Sequence, residues 1–237
     1  MSRPLQYIKG YCEFYKLKFK VTSAVLIPRP ETELLVDAIL NYCTLHPADR
    51  TLILDVGTGA GNIAISLAKN LQSDSDLVGR RHGTYEVKII ATDISKEALK
   101  IAQLNAKYHS VQNKIQFTKS NLLSSVTLNV VKSINDNLVI VTNLPYIPSS
   151  RILYLDSSVK DYEPYIALDG GEDGFELYRK LFQQISDLQL KPKLIVGEID
   201  YTHGELAVNE SQKYFPEALI EVKTDLAHKQ RILTIYP

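Results

Sequence analysis

The chain has 237 residues, with 27 Lys and Arg against 27 Asp and Glu, so its formal net charge at pH 7 is zero. This balance supplies no net field toward phosphate backbones or anionic membranes, which argues against a nucleic-acid-binding protein. No segment approaches the ~20 apolar residues of a membrane span, and two cysteines, Cys12 and Cys43, are too few for a disulfide scaffold.

These exclusions predict a soluble, monomeric protein built as one α/β domain with a short appendage. The first residues lack the apolar core of a secretory signal. We therefore expect a cytoplasmic location, or a mitochondrial one if the source is eukaryotic. Both cysteines are expected to be ordinary small apolar residues.

The first predicted element is a small exposed hairpin over residues 13–21, where apolar side chains alternate with lysines. Pro28 and Pro30 hold the next segment extended, and Glu31 or Thr32 then opens a helix. We divide the chain accordingly into a lead-in, residues 1–30, and a main domain, residues 31–237.

From residue 51 onward, short apolar strands alternate with amphipathic helices, as in a mostly parallel, doubly wound α/β sheet. We predict strands at residues 51–56, 87–92, 115–118, 138–142 and 193–199, and helices at residues 62–71, 96–108, 174–188 and 203–214. The last strands, 219–224 and 231–235, are close enough for an antiparallel hairpin. A parallel sheet that ends in an antiparallel strand resembles the Rossmann-like class I methyltransferase fold.

Two loops differ in composition. Residues 72–86 are polar and predict a surface insertion between a helix and a strand. Residues 147–174 are rich in Tyr, Asp, Glu and Gly and follow the strand predicted at 138–142. Long ordered loops at the carboxyl ends of parallel strands commonly carry substrate sites, so we place the acceptor side there.

A glycine-rich turn, Asp55-Val56-Gly57-Thr58-Gly59-Ala60-Gly61, joins a predicted strand to a predicted helix. In this context the backbone of residues 57–61 approaches a ligand closely. The third glycine comes one position too early for the dinucleotide pattern, because residue 62 is Asn, and this favours S-adenosylmethionine over NAD. Asp55 is then placed to bind the methionine ammonium, directly or through water. The alternative is a tight structural turn.

Two further segments complete the predicted donor site. Asp93, followed by Ile94, ends the next strand, where its carboxylate can accept hydrogen bonds from both ribose hydroxyls. The alternative role for Asp93 is an N-cap of the following helix. Asn121 and Leu122 follow the third strand and are placed to contact adenine, Asn121 by hydrogen bonds and Leu122 as an apolar wall.

The tetrapeptide Asn143-Leu144-Pro145-Tyr146 directly follows the strand predicted at 138–142. A planar amide or amine is weakly nucleophilic, so a site that methylates it needs hydrogen-bond acceptors for its N–H groups and a flat surface beside it. The Asn143 carboxamide, a backbone carbonyl and the Tyr146 ring supply these, in reach of the donor. The alternative for Tyr146 is a core aromatic.

The motifs named above, with Arg29-Pro30-Glu31-Thr32-Glu33, Asp225 to Arg231 and the acidic loop at 161–174, occur in one order along the chain. The set closely resembles the PrmC/HemK family, the N5-glutamine methyltransferases of peptide chain release factors. The resemblance implies methyl transfer from S-adenosylmethionine to the glutamine of a release-factor Gly-Gly-Gln loop, a modification in translation termination. It also implies that Asn143 and the Leu144 carbonyl hold the glutamine amide while Tyr146 packs against it.

The chain departs from the family pattern in two places. The family usually has Pro at the position of Leu144, and Leu keeps the carbonyl but makes the turn less rigid. Family members also usually carry an amino-terminal helical domain, of which the lead-in is expected to be a remnant.

Other functions remain open at this stage. Asn-Leu-Pro-Tyr also resembles the motif of ribosomal RNA adenine dimethyltransferases, so an N6-adenine methyltransferase acting on RNA or DNA is the main alternative. Methylation of a ribosomal-protein glutamine is disfavoured by the Arg29 to Glu33 segment, and a non-catalytic binding module by the intact glycine turn.

Charged residues in two segments have competing explanations. Arg29, Glu31 and Glu33 either line the mouth of the active site, as the family implies, or form a charged turn that caps a helix. Asp169 and the neighbouring acidic residues, Glu172 and Asp173, stand beside glycines, and we interpret them as turn-formers rather than metal ligands. No metal site is predicted.

Overall fold

The computed structural model describes residues 3–71, 86–126 and 137–237. Its strands are β1 (Tyr11–Phe14), β2 (Leu17–Lys20), β3 (Arg50–Val56), β4 (Glu86–Asp93), β5 (Ile115–Lys119), β6 (Leu138–Thr142), β7 (Leu194–Glu198), β8 (Leu219–Thr224) and β9 (Gln230–Tyr236). Its helices are α1 (Leu5–Lys9), α2 (Glu33–Leu45), α3 (Asn62–Asn70), α4 (Lys96–Tyr108), α5 (Ser157–Lys160), α6 (Glu176–Asp187) and α7 (Gly204–Tyr214). Short 3-10 turns cover Pro30–Thr32, Ser149–Tyr154 and Tyr165–Ala167.

A seven-stranded sheet in the order β5-β4-β3-β6-β7-β9-β8 organises the domain. The first five strands are parallel, while β9 is antiparallel to both β7 and β8. Residues 51–56 of β3 are all buried, which explains the continuous apolar run of a strand covered on both faces. The predicted α/β fold with an antiparallel carboxyl-terminal strand is confirmed.

The predicted elements are confirmed with small shifts. The helix at 96–108 and the strands at 138–142 and 219–224 have the predicted bounds. The predicted hairpin is present as β1 paired with β2, and β8 pairs with β9 as expected. The predicted insertion at 72–86 lies outside the described residues except for Glu86, which begins β4.

Helix α1 was missed from the sequence. It is a five-residue helix between Pro4 and Gly10, and Gly10 takes the left-handed conformation at its end with φ 77°. A segment this short offers too little periodicity to predict a helix, although a Pro before it and a Gly after it are the usual boundary residues.

The loop at 147–174 is ordered by its own acidic residues. Asp169 Oδ1 accepts hydrogen bonds from Ser149 Oγ at 2.6 Å and from the Gly171 N–H at 3.0 Å. Asp173 accepts one from the Phe175 N–H at 3.0 Å and forms an ion pair with Arg179. These carboxylates therefore act as turn-formers. Among the residues that the structure describes, no group of three or more His, Cys, Asp or Glu side chains could hold a metal ion.

The lead-in shares its core with the main domain. Several of its buried side chains form one cluster with residues of the glycine turn and of α4, made of Tyr7, Cys12, Val21, Val25, Ile27, Ala60, Ala98 and Ile101. Phe14 and Phe19 belong to a second cluster, with residues of α2, α3 and the sheet. Cys43 is buried as well. The domain boundary after residue 30 stays a prediction. None of the described helices is long and apolar enough to cross a membrane.

Asn105 of α4 links the β1–β2 hairpin to the glycine turn through hydrogen bonds. Its side chain is 2% exposed, and its Oδ1 accepts from the Lys20 N–H at 2.8 Å. Its Nδ2 donates to the Lys20 carbonyl at 3.1 Å and to the Ala60 carbonyl at 2.8 Å. One buried carboxamide thus hydrogen-bonds to the backbone of both the hairpin and the glycine turn.

Asn105→Ala should lower the free energy of unfolding by about 2 kcal/mol, because the buried Ala60 carbonyl loses its partner. The measurement is urea unfolding followed by circular dichroism. Gln103→Ala, at an exposed position of the same helix, is the matched control and should change stability by less than about 0.5 kcal/mol. Equal stability of the two variants would show that Asn105 does not fasten these segments.

Candidate active site

A cavity of about 560 Å³ opens at the carboxyl ends of β3 and β6. β3 and β6 are neighbours in the sheet, but the chain leaves them in opposite directions. It runs from β3 to β4 on one side and from β6 to β7 on the other. Ligands of open α/β sheets bind at such a switch point, and the volume lies within the range of small-molecule sites. The fold therefore places the candidate site where the predicted motifs converge.

Most of the predicted site residues line this cavity, namely Gly57, Thr58, Gly59, Ala60, Asp93, Ile94, Asn121, Leu122, Asn143, Leu144 and Pro145. Asp55, Gly61 and Tyr146 are not part of the lining. Pro164 to Ala167 also line the cavity, within the loop at 147–174 where the acceptor side was expected. The sequence did not point to several other lining residues, which are Ala24 to Leu26, Thr32, Ser95, Leu177 and Lys180.

Three successive backbone N–H groups of the glycine turn are already hydrogen-bonded within the protein. The Gly57 and Thr58 N–H groups donate to the Thr92 carbonyl at 2.9 and 2.8 Å. The Gly59 N–H donates to Asp93 Oδ2 at 2.9 Å. A pyrophosphate site needs such N–H groups turned toward the ligand. This turn instead presents carboxylates nearby, which suits a ligand with cationic and hydroxyl groups.

Gly61 has a packing role. Its φ is +82°, and a Cβ at this position would lie 2.9 Å from Ile65 Cδ1 and 3.1 Å from Ala102 Cβ. Only glycine combines this backbone conformation with the close approach of α4. The alternative that the glycines simply form a tight structural turn thus holds for Gly61, whereas Gly57 and Gly59 line the cavity.

Asp55 is fully buried and reaches the cavity wall through Thr58. Its Oδ2 accepts from Thr58 Oγ1 at 2.6 Å and from the Ala64 N–H at 3.2 Å. Its Oδ1 has no hydrogen-bond partner among the described residues. Burial raises the pKa of Asp55 to about 7. A buried carboxylate oxygen without a donor is costly, and a ligand ammonium or a bridging water would satisfy it.

Asp93 lines the cavity and can accept more hydrogen bonds than the protein donates to it. Its Oδ1 accepts from the Ser95 N–H at 2.8 Å, in addition to the bond from Gly59 to Oδ2. A carboxylate offers about four acceptor positions, so both oxygens can still accept from ligand hydroxyls. The N-cap of α4 is Ser95, whose side chain accepts from the Ala98 N–H. Burial raises the pKa of Asp93.

The segment after β5 is held in place by α6. The Leu123 N–H donates to Gln184 Oε1 at 2.7 Å. Leu122 is buried and has a φ of +55°, which is uncommon for a non-glycine residue. This fixed, partly strained turn presents Asn121 and Leu122 to the cavity.

The Asn143 carboxamide is fixed by two protein acceptors. Its Nδ2 donates to Thr32 Oγ1 at 3.0 Å and to Glu198 Oε2 at 3.1 Å. Because Nδ2 makes both of these contacts, the carboxamide atom that they leave for a ligand is Oδ1. Asn143 lines the cavity, so it presents a hydrogen-bond acceptor there.

Tyr146 and Asn143 both donate a hydrogen bond to the Glu198 carboxylate. The Tyr146 hydroxyl donates to Glu198 Oε1 at 2.8 Å, and burial together with Glu198 raises the pKa of Tyr146 well above its ordinary value. The side chain is half-buried and hydrogen-bonded, so it is more than a core aromatic. Its predicted packing against an acceptor amide stays a prediction.

Glu198 was not found by sequence reasoning. It is 1% exposed and ends the buried strand Leu194–Glu198. A signal was present, because a charged residue at the carboxyl end of an otherwise apolar parallel strand points to the edge of the sheet where ligands bind.

The charged residues from Arg29 to Glu33 have separate partners, and no side-chain cap hydrogen bond is present at the start of the helix that follows. Arg29 lines the cavity and forms an ion pair with Glu163 of the loop. Glu163 Oε2 also accepts from the Ile27 N–H at 3.2 Å, so this carboxylate joins two walls of the mouth. Glu33 turns away and accepts from the Tyr15 N–H at 2.7 Å. Glu31 is exposed.

Solved structures with similar folds are methyltransferases of low sequence identity. The ribosomal protein L11 methylase of Lactobacillus delbrueckii subsp. bulgaricus is 20% identical, with a TM-score of 0.56 over 91% of this chain and 82% of that one. The N-terminal domain of human METTL16, solved in complex with SAH, is 13% identical, with a TM-score of 0.61 over 93% of this chain and 76% of that one. These similarities concern the fold alone.

Sequence relatives are closer. A methyltransferase-domain family profile matches residues 47–161. The release factor glutamine methyltransferase of Lactococcus lactis subsp. lactis is 37% identical over 99% of this chain and 77% of its own length. That of Clostridium acetobutylicum is 34% identical over 97% of this chain and 74% of its own length. These matches confirm the resemblance inferred from the motifs, and the chain belongs to the release factor glutamine methyltransferase family.

Proposed function

We propose that this protein transfers a methyl group from S-adenosylmethionine to the side-chain amide nitrogen of the glutamine in the Gly-Gly-Gln loop of a peptide chain release factor. The observation that carries the proposal is the fixed carboxamide of Asn143, whose Nδ2 is held by Thr32 and Glu198. Its Oδ1 is therefore the atom that can accept a hydrogen bond from an N–H group of the ligand. A primary amide presents such an N–H.

The residues around the glycine turn fit the donor. Asp93 has acceptor positions for the ribose hydroxyls, and Asn121 with Leu122 forms the wall proposed for adenine. The unpartnered Oδ1 of Asp55 suits the methionine ammonium. When bound, S-adenosylmethionine supplies an electrophilic methyl group on a positively charged sulfur.

The chain's own contribution is to orient and activate the acceptor amide. An amide nitrogen shares its lone pair with the carbonyl, which makes it a weak nucleophile. Accepting hydrogen bonds from its N–H groups, by Asn143 Oδ1 and the Leu144 carbonyl, fixes the nitrogen and raises its electron density. Pro164 to Ala167 and the lead-in wall the same cavity and are joined by Glu163, which limits the access of water.

The alternatives concern the acceptor. An adenine amino group is also planar and could meet the same oxygen, but the balanced charge of the chain offers no general attraction to RNA or DNA. A ribosomal-protein glutamine would suit the same chemistry, and the acceptor assay below distinguishes it from a release-factor glutamine. The cytoplasmic location and the monomeric state stay predictions.

The proposal is tested with labelled S-adenosylmethionine and four acceptors, which are a purified release factor, its variant with the Gly-Gly-Gln glutamine changed to Ala, ribosomal proteins and total RNA. Mass spectrometry then identifies the modified residue. We expect label only on the glutamine of the unaltered release factor. Label in RNA adenine or in a ribosomal protein instead would replace the proposed function with the corresponding alternative.

Asn143→Ala serves as the site-directed control of this assay. It should keep donor binding, measured by calorimetry, and lose most of the transfer, because the acceptor nitrogen is no longer held. Asn70→Ala, at the exposed end of α3, should transfer at the wild-type rate.

Asp93→Asn should weaken donor binding by at least about tenfold, because hydrogen bonds to a charged group each contribute roughly 1.5–3 kcal/mol. The added NH₂ group would also face the N–H group of either Gly59 or Ser95. Titration calorimetry with S-adenosylmethionine measures the effect. Asp187→Asn, at an exposed position of α6, is the matched control, and equal affinities of the two variants would remove Asp93 from the donor site.

A further inference from the structure

Three hydrogen-bond donors converge on one buried carboxylate behind the cavity. Glu198 Oε2 accepts from Thr32 Oγ1 at 2.6 Å and from Asn143 Nδ2 at 3.1 Å. Glu198 Oε1 accepts from the Tyr146 hydroxyl at 2.8 Å. The three donors come from the 3-10 turn before α2 and from both ends of the Asn143 to Tyr146 motif. A single side chain of β7 thus joins separate parts of the acceptor site.

Because Glu198 accepts these hydrogen bonds and donates none, it determines which atom of the Asn143 carboxamide faces a ligand. A carboxamide has an accepting end and a donating end of nearly the same shape, and nothing in that shape selects one. A carboxylate accepts only. It therefore attracts the NH₂ end of Asn143 and turns the carbonyl end toward the cavity. A neutral, donating neighbour in the same place would favour the opposite orientation.

We propose that Glu198 is a positioning residue of the methyl transfer, which holds Asn143 with its Oδ1 toward the acceptor and thereby selects an acceptor that donates N–H. This inference rests on the proposed function and deepens it. Glu198 does not line the cavity, so it acts through Asn143 and Tyr146 rather than by touching the ligand. Thr32, which does line the cavity, completes the same arrangement.

The positioning requires an ionised Glu198, since its oxygens accept from all three side chains. Burial raises the pKa of Glu198, while the bonds from Thr32 and Tyr146 oppose this. The charged and titratable groups that face it from neighbouring elements are Tyr146, Tyr178, Arg231 and Glu31. Arg231 of β9 favours the ionised form, and Glu31 disfavours it. Tyr178 of α6 donates to the Glu198 carbonyl at 2.5 Å.

A pH dependence follows from this requirement. Because the pKa of Glu198 is raised, its carboxylate gains a proton at a higher pH than an ordinary Glu. The protonated form carries an O–H that faces a donor, so the Asn143 orientation is lost. The transfer rate at saturating donor and acceptor should therefore fall as the pH falls through this pKa. Asp55 titrates near the donor and is unchanged in both of the variants below.

The test compares two Glu198 variants in the release-factor assay. Glu198→Leu removes both acceptor oxygens at similar volume and should lower kcat by about 100-fold, as a misplaced reacting group does, with donor affinity unchanged. Glu198→Gln keeps the shape of the side chain but is neutral and presents a donating NH₂ group, as the protonated acid presents an O–H, so one end of it faces a donor. This variant should show at neutral pH the reduced rate that wild type reaches below its acid step, and it should have no acid step of its own.

Glu210→Gln is the matched control, because Glu210 of α7 is also a largely buried carboxylate, paired with Arg179 of α6 and Lys213 of α7. It should keep the wild-type rate and the wild-type pH profile. Circular dichroism reports the folding of each variant. If Glu198→Leu does not fold, the pH profile of Glu198→Gln decides the matter.

The outcomes separate the two claims. Absence of transfer to the release factor by wild type would overturn the proposed function. Transfer by wild type, together with an undiminished rate in folded Glu198→Leu, would overturn the positioning role. An acid step in Glu198→Gln that equals that of wild type would also overturn it.

Discussion

The structure of the site depends on the parallel pairing of β3 with β6 at the centre of the sheet. Val56 and Thr142 are partners in this register, and Thr142 Oγ1 donates to the Val56 carbonyl at 2.6 Å. The next residues, Gly57 and Asn143, therefore begin the donor and acceptor turns side by side. A Cβ on Gly57 would lie 3.3 Å from Leu144 Cδ2, so glycine permits the close approach of the two turns.

Carboxylates that are buried or half-buried then fix the turns that this pairing brings together. Asp93 holds the glycine turn through the Gly59 N–H, Glu163 joins the lead-in to the loop, and Glu198 holds Asn143 and Tyr146. Each carboxylate has protein donors that offset much of the cost of burying a charge. The apolar sheet thus supplies the frame, while a few carboxylates set the orientation of the groups that face the cavity.

Much of the fold followed from patterns within single segments. Apolar runs gave the strands of the sheet, and the helix at 96–108 was bounded by Ser95 and a periodic apolar face. The donor and acceptor motifs were local as well, since each follows a strand directly. Tertiary partners were not predictable in this way. Nothing within 194–198 shows that Glu198 meets Asn143, and nothing within 24–26 shows that this segment walls the cavity.

The central claim is that Asn143 holds the amide that becomes methylated. The most direct test is a crystal structure of the protein with S-adenosylhomocysteine and a peptide containing Gly-Gly-Gln. We expect the glutamine side-chain nitrogen within hydrogen-bond distance of Asn143 Oδ1 and of the Leu144 carbonyl, with Asn143 Nδ2 still on Glu198. A glutamine bound in the cavity without contact to Asn143, or an Asn143 side chain turned away from Glu198, would contradict the claim.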